Sequence, residues 1–410
     1  MLLPHNKIKM NKYANFTGQP IFSQLLNFID RSLIRRQAQK HQTDHYYKKF
    51  KTYDHVVTML YAIFHKCNSI REVTTGMQVC SNRLKHLGVS YSPRRSTFSE
   101  ANAKRSSRVF EGIYMELYKR YGPTLPDSLK RKSLHSSLYI VDSTTIQLFK
   151  EILKNAGKSP IHGKRKGGIK AHMMIKADQD VPCFVKLTAA AKHDLPFIQG
   201  LQLPKGSIIV FDKAYVDYMQ YHLWDQAKVT WVTRLRKGAI HQIIDENPIT
   251  ETQYNKGIIS DQNVILGHTT HNNITRIEAR LIRYYDKEKQ KIFTFISNSK
   301  NLAAYTISQI YKQRWQIELL FKRLKQNYPL KYFLGDNENA IRIQIWCALI
   351  ADLLIKTVQT HIKNKWSFAN MSSIIRIHLM TYVNLFEFLN HPDKSLIHYQ
   401  TIDNKDPTLF

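Results

Sequence analysis

The alternation of apolar and polar residues divides the middle of the chain into short strand-like runs and helix-like stretches. Residues 138–142 (LYIVD) and 207–212 (SIIVFD) are apolar runs that each end in aspartate. Two β-prone runs separated by a polar DQD predict a hairpin over 169–189, and VTWVTRLR predicts a further strand over 229–236. With the helix-like stretch at 214–226, the pattern indicates an α/β fold built on a mixed sheet.

Residues 1–132 are predicted to form a separate, mainly helical domain. The largely apolar segment 55–66 (HVVTMLYAIFHK) predicts a buried helix, and polar, basic stretches surround it. Two prolines and a glycine in 121–132 indicate a domain boundary. These 132 residues hold 24 Lys and Arg against 8 Asp and Glu, so the predicted bundle has basic outer faces. DNA binding is the favoured role for these faces, and simple solvation is the alternative.

The pattern changes twice beyond residue 236. Residues 237–296 hold polar, β-prone pieces and predict a mainly β insertion. Helical patterning resumes at about residue 302 and runs as one helix through YKQRWQIELLFKRLK (311–325). An apolar helix is predicted over 339–356, and residues 361–410 are predicted to form a C-terminal helical tail.

The chain is strongly basic, with 61 Lys and Arg against 31 Asp and Glu and a net charge of +30. A charge of this size favours a nucleic acid partner, with a ribosomal or membrane-surface protein as the alternative. No apolar run reaches the ~18 residues of a membrane-spanning helix, and the first residues lack the apolar region of a signal peptide. The four cysteines are scattered, which indicates neither a disulfide framework nor a zinc site. A cytoplasmic protein is expected.

Two of the strand-like runs end in a carboxylate, Asp142 in VDST and Asp212 in DKAY. In open α/β sheets, ligand sites lie at the carboxyl ends of the strands, so adjacent strands would bring these side chains together. Each aspartate alone is equally explained as a helix cap or a turn residue. Glu318, on a helix packed across the sheet, would complete a cluster of three carboxylates that repel one another unless cations lie between them. Mg²⁺ suits such oxygen ligands and suits phosphate chemistry.

Glu318 lies among cationic and aromatic residues. At ~100° per residue, a single continuous helix would place Tyr311, Arg314, Glu318 and Lys325 on one narrow stripe, with Lys322 close to it. A phenol, a guanidinium and ammonium groups can bind phosphates beside a carboxylate that holds metal. The opposite face is apolar and is predicted to pack in the core. It comprises Ile310, Ile317, Phe321 and Leu324.

These residues resemble the motifs of the DDE transposases of the bacterial insertion-sequence-four family, which have a ribonuclease H-like catalytic core. The family signature is Tyr, two residues, Arg, three residues, Glu, six residues, Lys, and residues 311–325 match it. Asp142 matches the first family aspartate. Asp212 matches the second, which usually precedes Arg-Gly-Tyr or Arg-Ala-Tyr and here precedes Lys-Ala-Tyr. The resemblance covers about residues 18–360.

The resemblance implies the fold and the division of the chain. An α/β ribonuclease H-like catalytic core is expected from 133–236 and 297–360, with the β-rich insertion (237–296) before the last catalytic residue. The N-terminal helical domain (1–132) would bind DNA, and a C-terminal helical tail (361–410) would follow the core.

The resemblance also implies the activity. A transposase of this kind cuts DNA at terminal inverted repeats and joins the freed 3′-hydroxyls to target DNA by two-metal chemistry, using two Mg²⁺ ions or Mn²⁺ in their place. It would work as a homodimer on double-stranded DNA in the bacterial nucleoid. A related nuclease and a catalytically dead DNA-binding derivative are the alternatives. The implied catalytic and metal-binding residues are Asp142, Asp212 and Glu318, and the implied DNA contacts are Tyr311, Arg314, Lys325, Lys322 and Lys213.

The chain departs from the family pattern at two places. Lys213 replaces the usual Arg, which keeps the charge but loses bidentate phosphate recognition. Residues 237–296 contain no Trp. In relatives that cut the second strand through a DNA hairpin, a Trp of the insertion stacks on a flipped base. Tyr254, Tyr284 or Tyr285 could stack instead.

Four further residues carry weaker predictions. Lys170 and His172 alternate on one face of a predicted strand, so one of them could point at the active centre. Asp194 precedes a helix-like stretch and is predicted to be its N-cap. Trp315, beside the stripe of Glu318, is predicted to pack against the protein wall, with base contact as the alternative.

Overall fold

The computed structural model describes residues 18–125, 137–147, 168–177, 179–267, 269–270, 273–274 and 276–392. Contacts between residues divide the chain into two compact units. The helical unit holds the described residues up to Tyr114 and those from Trp346 onward, and the sheet unit holds those from Met115 to Ile345. The helical unit is therefore drawn from both ends of the described chain, and the sheet unit from its middle.

The N-terminal part of the helical unit consists of helices packed around one buried helix. They are α1 (Ile21–Leu26), α2 (Arg31–Lys40), α3 (Thr52–His65), α4 (Ile70–Val79), a 3₁₀ helix (Ser81–Leu87), α5 (Arg95–Lys104) and α6 (Arg108–Tyr121). Helix α3 is buried along most of its length, as its apolar sequence predicted. Asp30 caps α2 by accepting from the Ser32 amide at 2.8 Å, and Ser69 caps α4 by accepting from the Glu72 amide at 3.1 Å.

His55 is a buried titratable group at the centre of the helical unit. Its Nε2 lies 2.7 Å from Asn102 Oδ1, and the rings of Phe98 and Phe110 meet it edge-on. Burial lowers the pKa of His55 to about 3. An unfolded histidine titrates near pH ~6.5, so between these values the unfolded chain binds a proton that the folded unit does not. The contribution of neutral His55 to stability is therefore complete above the pKa of the unfolded histidine. It is lost as the pH falls through the pKa of His55 in the folded unit.

We expect the melting temperature of the helical unit to fall as the pH is lowered from about 7 to about 4. The corresponding decrease in the free energy of unfolding should amount to a few kcal/mol (~1.4 kcal/mol per pH unit). The decrease should be smaller in His55→Gln, because glutamine has no proton to gain. Thermal melts followed by far-ultraviolet circular dichroism at several pH values measure the slope. His45→Gln, at an exposed position, is the matched control and should keep the wild-type slope. An unchanged slope in His55→Gln would contradict the assignment.

Within the described residues, nine strands form one mixed sheet in the order β3-β2-β1-β4-β5-β11-β10-β7-β6. The strands are β1 (Leu138–Gln147), β2 (Gly168–Lys176), β3 (Pro182–Ala189), β4 (Ile208–Phe211), β5 (Thr230–Arg234), β6 (His241–Glu246), β7 (Ile258–Leu266), β10 (Ile277–Asp286) and β11 (Lys291–Ser297), and β8 (Thr269–Thr270) pairs separately with β9 (Asn273–Ile274). Strand β4 runs parallel to both β1 and β5, and the other pairs in the large sheet are antiparallel. The three parallel strands form its centre.

The strand predictions agree with this sheet in its central part. The two apolar runs that end in aspartate are β1 and β4, and the predicted hairpin at 169–189 is β2 with β3. Residues 237–296 are rich in strands, as predicted. Their strands extend the central sheet, because β11 pairs with β5 in antiparallel fashion over Val232–Arg234. The sequence pattern predicted the strands of this segment but not their pairing with β5 of the central sheet.

Helices flank the sheet. They are a 3₁₀ helix (Gly122–Thr124), α7 (Leu195–Ile198), α8 (Tyr218–Gln226), α9 (Glu251–Asn255), α10 (Ala304–Lys312) and α11 (Trp315–Asn327). Helix α8 attaches to the sheet through aromatic packing: the Tyr221 ring stacks on Trp231 of β5 at 4.6 Å and lies 5.5 Å from the Phe211 ring of β4. This cluster fixes the ends of β4 and β5, where the chain carries its polar side chains.

The prediction of one continuous helix through 311–325 is wrong. The helix ends at Lys312, and α11 begins at Trp315. At the joint the amides of Gln313 and Arg314 donate to carbonyls three residues earlier, each at 3.1 Å, which is 3₁₀-type winding. The tighter turn rotates Tyr311 relative to Glu318, so a stripe drawn on one ideal helix does not hold across the joint. The apolar core face is confirmed, because the four predicted side chains are buried.

The C-terminal part of the described chain holds α12 (Glu338–His361), α13 (Phe368–Ile377) and α14 (Leu385–Asn390). Helix α12 confirms the apolar helix predicted over 339–356. The last two helices pack in the helical unit, where the Gln24 side chain donates to the Val383 carbonyl at 2.6 Å and accepts from the Leu385 amide at 2.9 Å. None of the described helices combines the length and the apolar character that a bilayer-spanning segment requires.

Candidate active site

Asp142, Asp212 and Arg234 lie side by side across the three parallel strands. The register of β1 with β4, continued by one residue, pairs Asp142 with Asp212. The register of β4 with β5, continued by two residues, pairs Asp212 with Arg234. Neighbouring strands are ~4.8 Å apart, so three charged side chains stand at one level of the sheet. The structure thus brings together the two predicted aspartates. Asp212 directly follows β4, but the prediction that Asp142 ends its strand is wrong, because β1 continues to Gln147 through its pairing with β2.

Asp142 is held by two hydrogen bonds. The Ser143 amide donates to its Oδ1 at 2.8 Å, and Arg314 Nη1 donates to its Oδ2 at 2.7 Å. Burial raises the pKa of Asp142 to about 6, and the nearby charges of Asp212 and Glu318 raise it as well, against the lowering effect of its two donors. The largest cause is burial, to which the two neighbouring carboxylates add their repulsion. Such a group of carboxylates favours the binding of a cation.

Asp212 begins the turn that follows β4. Its Oδ1 accepts from the Ala214 amide at 3.1 Å, and its Oδ2 accepts from Arg234 Nη2 at 3.3 Å. Arg234 was not predicted to belong to the site. The available signal was its place near the end of the fifth predicted strand (229–236). Its Nε is buried and meets no hydrogen-bond partner among the described residues.

Arg314 joins two of the three carboxylates. It lies in the joint before α11, and its Nη1 binds Asp142 while its Nη2 binds Glu318 Oε1, one helical turn later. Asp142 and Glu318 are therefore linked through a guanidinium group. The sequence had predicted a phosphate contact for Arg314; in this structure the guanidinium is the counter-ion of the carboxylates.

Tyr311 lies against both arginines of the site. Its ring centroid is 5.6 Å from Arg234 Cζ and 5.8 Å from Arg314 Cζ, and its ring packs on Phe295 at 4.9 Å. The side chain is 8% exposed, and its hydroxyl meets no partner of suitable geometry among the described residues. Burial raises the pKa of Tyr311, so the phenol is neutral. A buried hydroxyl without a partner costs free energy, which a bound ligand would recover.

We expect Tyr311→Phe to raise stability by about 1 kcal/mol, because it removes a buried polar group that has no partner. The same change should slow DNA cleavage by roughly tenfold if the hydroxyl binds the substrate. Loss of one hydrogen bond of ~1.4 kcal/mol corresponds to a tenfold change. Tyr221→Phe is the matched control. Its hydroxyl donates to the Tyr215 carbonyl at 2.8 Å, so its loss should lower stability. Equal destabilisation of both variants would contradict the account.

The remaining predicted DNA contacts are exposed ammonium groups. Lys322 and Lys325 lie on the solvent side of α11, and Lys213 lies in the turn after Asp212. Trp315 is 56% exposed, so the prediction that it packs against the wall is wrong. The helix is interrupted just before Trp315, so Trp315 is the first residue of α11. It therefore does not take the position that one continuous helix over 311–325 would give it.

A divalent cation fits the donor set but requires a rearrangement. Within the described residues, no three His, Cys, Asp or Glu side chains are grouped closely enough to hold a metal ion. The cause is Arg314, which lies between Asp142 and Glu318. The donors themselves are carboxylate oxygens, the ligands that Mg²⁺ prefers. A cation bound by all three carboxylates would compete with the Arg314 guanidinium for Asp142 and Glu318.

Asp194 occupies the N-cap position of α7, as predicted, but its side chain makes no capping hydrogen bond. The carboxylate instead meets Ser143, Lys170 and His172. A charged ammonium group competes successfully with the amides of a four-residue helix, because hydrogen bonds between ions are the stronger ones. Lys170 and His172 therefore contact Asp194 on the face of the sheet that carries the Ser143 side chain. Successive side chains of a strand point to opposite faces, so neither residue points at Asp142, and the prediction that one of them does is wrong.

Comparisons with known proteins identify the family. The transposase DDE domain model matches residues 134–354, and a domain of unknown function (DUF4372) matches residues 17–90. A Sinorhizobium fredii protein named as transposase y4zB is 28% identical over 65% of this chain and 71% of its own length. A Synechocystis protein named as the transposase of insertion sequence element IS4SA is 28% identical over 64% of this chain and 70% of its own.

A third relative and one solved structure are more distant. A Geobacillus stearothermophilus protein named as the transposase of insertion sequence element IS5377 is 28% identical over 57% of this chain and 60% of its own length. The piggyBac transposase synaptic complex with hairpin DNA aligns over 96% of this chain and 87% of that chain, with 11% identity. Its TM-score of 0.46 is too low to establish a shared fold.

The family match contains the whole candidate site. The transposase DDE model spans more than half of the chain and includes Asp142, Asp212 and Glu318. The three relatives, which are named as transposases, agree with it. The chain belongs to the transposase DDE domain family, in its insertion-sequence-four type.

Proposed function

We propose that the protein carries out cut-and-paste transposition. It cleaves DNA at the terminal inverted repeats of its element and joins the freed 3′-hydroxyls to target DNA. The observation that carries this proposal is the side-by-side placement of Asp142 and Asp212 on parallel strands, with Glu318 tied to Asp142 through Arg314. These residues lie inside the region that the transposase DDE model matches.

Asp142, Asp212 and Glu318 would hold the divalent metal that this family uses, which we propose to be two Mg²⁺ ions, with Mn²⁺ as a substitute. When bound, the metal supplies an activated water or 3′-hydroxyl and stabilises the leaving oxygen. The sheet fixes the two aspartates, because they stand next to paired residues of β1 and β4. Glu318 comes from the first turn of α11, so its side chain can adjust to the ligand.

Arg314 would change partners when the site is loaded. In this structure its guanidinium neutralises Asp142 and Glu318. Once a metal takes over that role, Arg314 is free to bind a phosphate of the strand being cut, for which its planar fork is suited. Arg234 and Tyr311 present a buried Nε and a buried hydroxyl without partners among the described residues, so both can bind the same strand. The exposed Lys213, Lys322 and Lys325 would contact phosphates farther along the DNA.

The helical unit would bind DNA through the loop between α2 and α3. Tyr46 is 90% exposed there, and the His45 ring meets it edge-on at 4.3 Å. Lys48 and Lys49, two residues further on, are also exposed. An exposed aromatic ring beside cations is typical of surfaces that bind nucleic acid, where the ring stacks on a base and the cations bind phosphates.

Arg105 holds this loop in place from the inside. Its side chain is 0% exposed, and it donates to the backbone carbonyl of Phe50 at 2.9 Å and of Thr43 at 3.4 Å. Its guanidinium also lies 4.6 Å from the Tyr47 ring centroid. A buried arginine is costly unless its donors are satisfied, and here they are satisfied by the loop backbone. The loop therefore presents Tyr46 from a fixed frame, which lowers the entropy lost on binding.

DNA binding by this loop is tested with Lys48→Ala/Lys49→Ala and with Tyr46→Ala, using fluorescent duplexes made from the sequences that flank the gene. The double variant should bind more weakly and should lower the slope of log affinity against log salt by about 2, because two phosphate contacts are lost. Lys104→Ala is the matched control, because Lys104 already pairs with Glu100 at 2.7 Å. A slope unchanged from wild type would rule this loop out as a DNA contact.

Transposition itself is tested by incubating the full chain with Mg²⁺ and DNA that carries the flanking sequences of its gene. We expect strand breaks at the repeat ends and joining of those ends to a target plasmid. In the cell, a dimer would bring the two ends together in the nucleoid. Breaks without joining would indicate a nuclease, and no breaks would refute the proposal.

A hairpin intermediate would depend on Tyr254, which is 69% exposed, because Tyr284 is buried and the Tyr285 hydroxyl is bound to Gln290.

A further inference from the structure

Asp194 is the meeting point of a polar cluster beside the catalytic aspartates. Its Oδ1 accepts from Ser143 Oγ at 3.1 Å, forms an ion pair with Lys170 Nζ at 3.1 Å and lies 3.4 Å from His172 Nδ1. The Asp194 side chain is 22% exposed, and those of Lys170 and His172 are 15% and 1% exposed. A single carboxylate oxygen thus collects contacts from three residues that are largely withdrawn from solvent.

The cluster has a fixed geometry and one clear counter-ion. His172 Nε2 lies 2.9 Å from Thr188 Oγ1, and its ring stacks on Phe197 at 5.2 Å. Burial lowers the pKa of His172 to about 4, so the ring is neutral near pH 7. Lys170 is therefore the cation that balances Asp194, and its ammonium is held in place by a second bond, to the Lys192 carbonyl at 3.0 Å.

The cluster is connected to Asp142 through Ser143. In the pairing of β1 with β2, Ser143 lies opposite His172, so Asp194 bridges these two strands at the residue that follows Asp142. Ser143 binds in two directions: its hydroxyl donates to Asp194, and its amide donates to Asp142 Oδ1 at 2.8 Å. Fixing the Ser143 side chain also fixes the amide that orients the Asp142 carboxylate.

Asp142 has a particular need for such support. Asp212 and Glu318 repel its charge, and the Arg314 guanidinium that balances it would compete with a metal ion for the same carboxylate. With a metal bound, the Ser143 amide would be the donor that keeps Asp142 Oδ1 in its present direction. A metal ligand without such outer support binds its ion less tightly.

We propose that Asp194 is a positioning residue for the active centre, which acts through Ser143 to hold Asp142 in the orientation that binds metal. This inference rests on the proposed function, because it gives Asp142 the role of metal ligand. It also assigns a function to the Lys170–His172 face of β2, which would keep Asp194 in place. Loss of the contact between Asp194 and Ser143 should weaken metal binding with little effect on DNA binding or folding.

The test compares Asp194→Ala, Ser143→Ala and the double variant in the full chain. Mn²⁺ affinity is measured by electron paramagnetic resonance, and the Mg²⁺ concentration for half-maximal DNA cleavage is measured in parallel. Each single variant should need roughly tenfold more metal, as loss of an outer partner of a metal ligand usually does. The double variant should need no more than the worse single variant, because both changes break one connection.

Asp217→Ala is the matched control. Asp217 is another loop carboxylate, and it caps α8 by accepting from the Gln220 amide at 3.0 Å. Its replacement should lower the melting temperature and leave the Mn²⁺ affinity at the wild-type value. Unchanged Mn²⁺ affinity in Asp194→Ala and Ser143→Ala, or additive losses in the double variant, would overturn the proposal. Because Mn²⁺ binding is read without cleavage, failure of wild type to cut DNA would count against the proposed function and not against this link.

Discussion

Asp212→Asn should abolish DNA cleavage, with a loss on the order of 10³-fold or more, while DNA binding stays within about twofold of wild type. The change keeps the size of the side chain and its bond to the Ala214 amide but removes the negative charge that a metal requires. Asp142→Asn and Glu318→Gln should behave in the same way. DNA affinity should persist because the basic helical unit and the exposed lysines are untouched.

The same substitutions separate catalysis from folding. The folded pKa of Asp142 is raised to about 6, above the ordinary value, so its contribution to stability is present at low pH and is lost as the pH rises through 6. At neutral pH the ionised group costs on the order of 2–3 kcal/mol, a figure that already includes the favourable effect of Arg314. Asp142→Asn should therefore melt no lower than wild type at pH ~7.

The experiment combines cleavage of end-labelled DNA, binding by fluorescence anisotropy and thermal melts on the same preparations. Asp225→Asn, at an exposed carboxylate in the last turn of α8, is the control that should cut DNA like wild type. Cleavage by Asp212→Asn at more than a tenth of the wild-type rate would contradict the role given to this carboxylate. A large fall in melting temperature for all three variants would instead indicate a structural role for the cluster.

Arg314→Ala should have the second largest effect, with opposite consequences for metal binding and for cleavage. Removal of the guanidinium takes away the cation that competes with metal for Asp142 and Glu318. Mn²⁺ affinity should therefore rise by roughly tenfold, because close carboxylates without a counter-ion attract cations more strongly. Cleavage should fall by about 10² because the arginine no longer binds the scissile strand.

Arg314→Ala should also lower stability, by about 2 kcal/mol, because it leaves two largely withdrawn carboxylates without their partner. Added Mn²⁺ should restore part of that loss, since ligand binding to the folded state stabilises it. Arg314→Lys is the matched variant: it keeps the charge but cannot reach both carboxylates with a planar fork. Metal affinity that falls in Arg314→Ala would show that the guanidinium supports the metal site and does not compete for it.

The sequence predicted the parts of the site that depend on local pattern. Asp142 and Asp212 could be found because each ends an apolar run, and such runs form buried strands whose ends meet at one edge of a sheet. Glu318 could be found from its spacing to Arg314 and Lys325. These three were predicted without knowledge of which strands are neighbours.

The parts that depend on long-range contacts were not predictable in this way. Arg234 joins the site because β5 is parallel to β4, and nothing in its own segment records that pairing. Residues 237–296 extend the central sheet for the same reason. The break after Lys312 separates Tyr311 from the helix of Glu318, although the apolar spacing continues across it. Asp194 follows the local pattern of a cap, but contacts with two neighbouring strands override that preference.

The central claim is that Asp212, together with Asp142 and Glu318, binds the metal ion used for DNA cleavage. Asp212→Cys tests it most directly, because a thiolate is a poor ligand for the hard ion Mg²⁺ and a better one for Mn²⁺. Cleavage of the flanking DNA should be lost in Mg²⁺ and recovered in part in Mn²⁺, whereas Asp212→Ala should stay inactive in both. Equal activity of Asp212→Cys in the two metals, or recovery of Asp212→Ala by Mn²⁺ to the same extent, would contradict the claim.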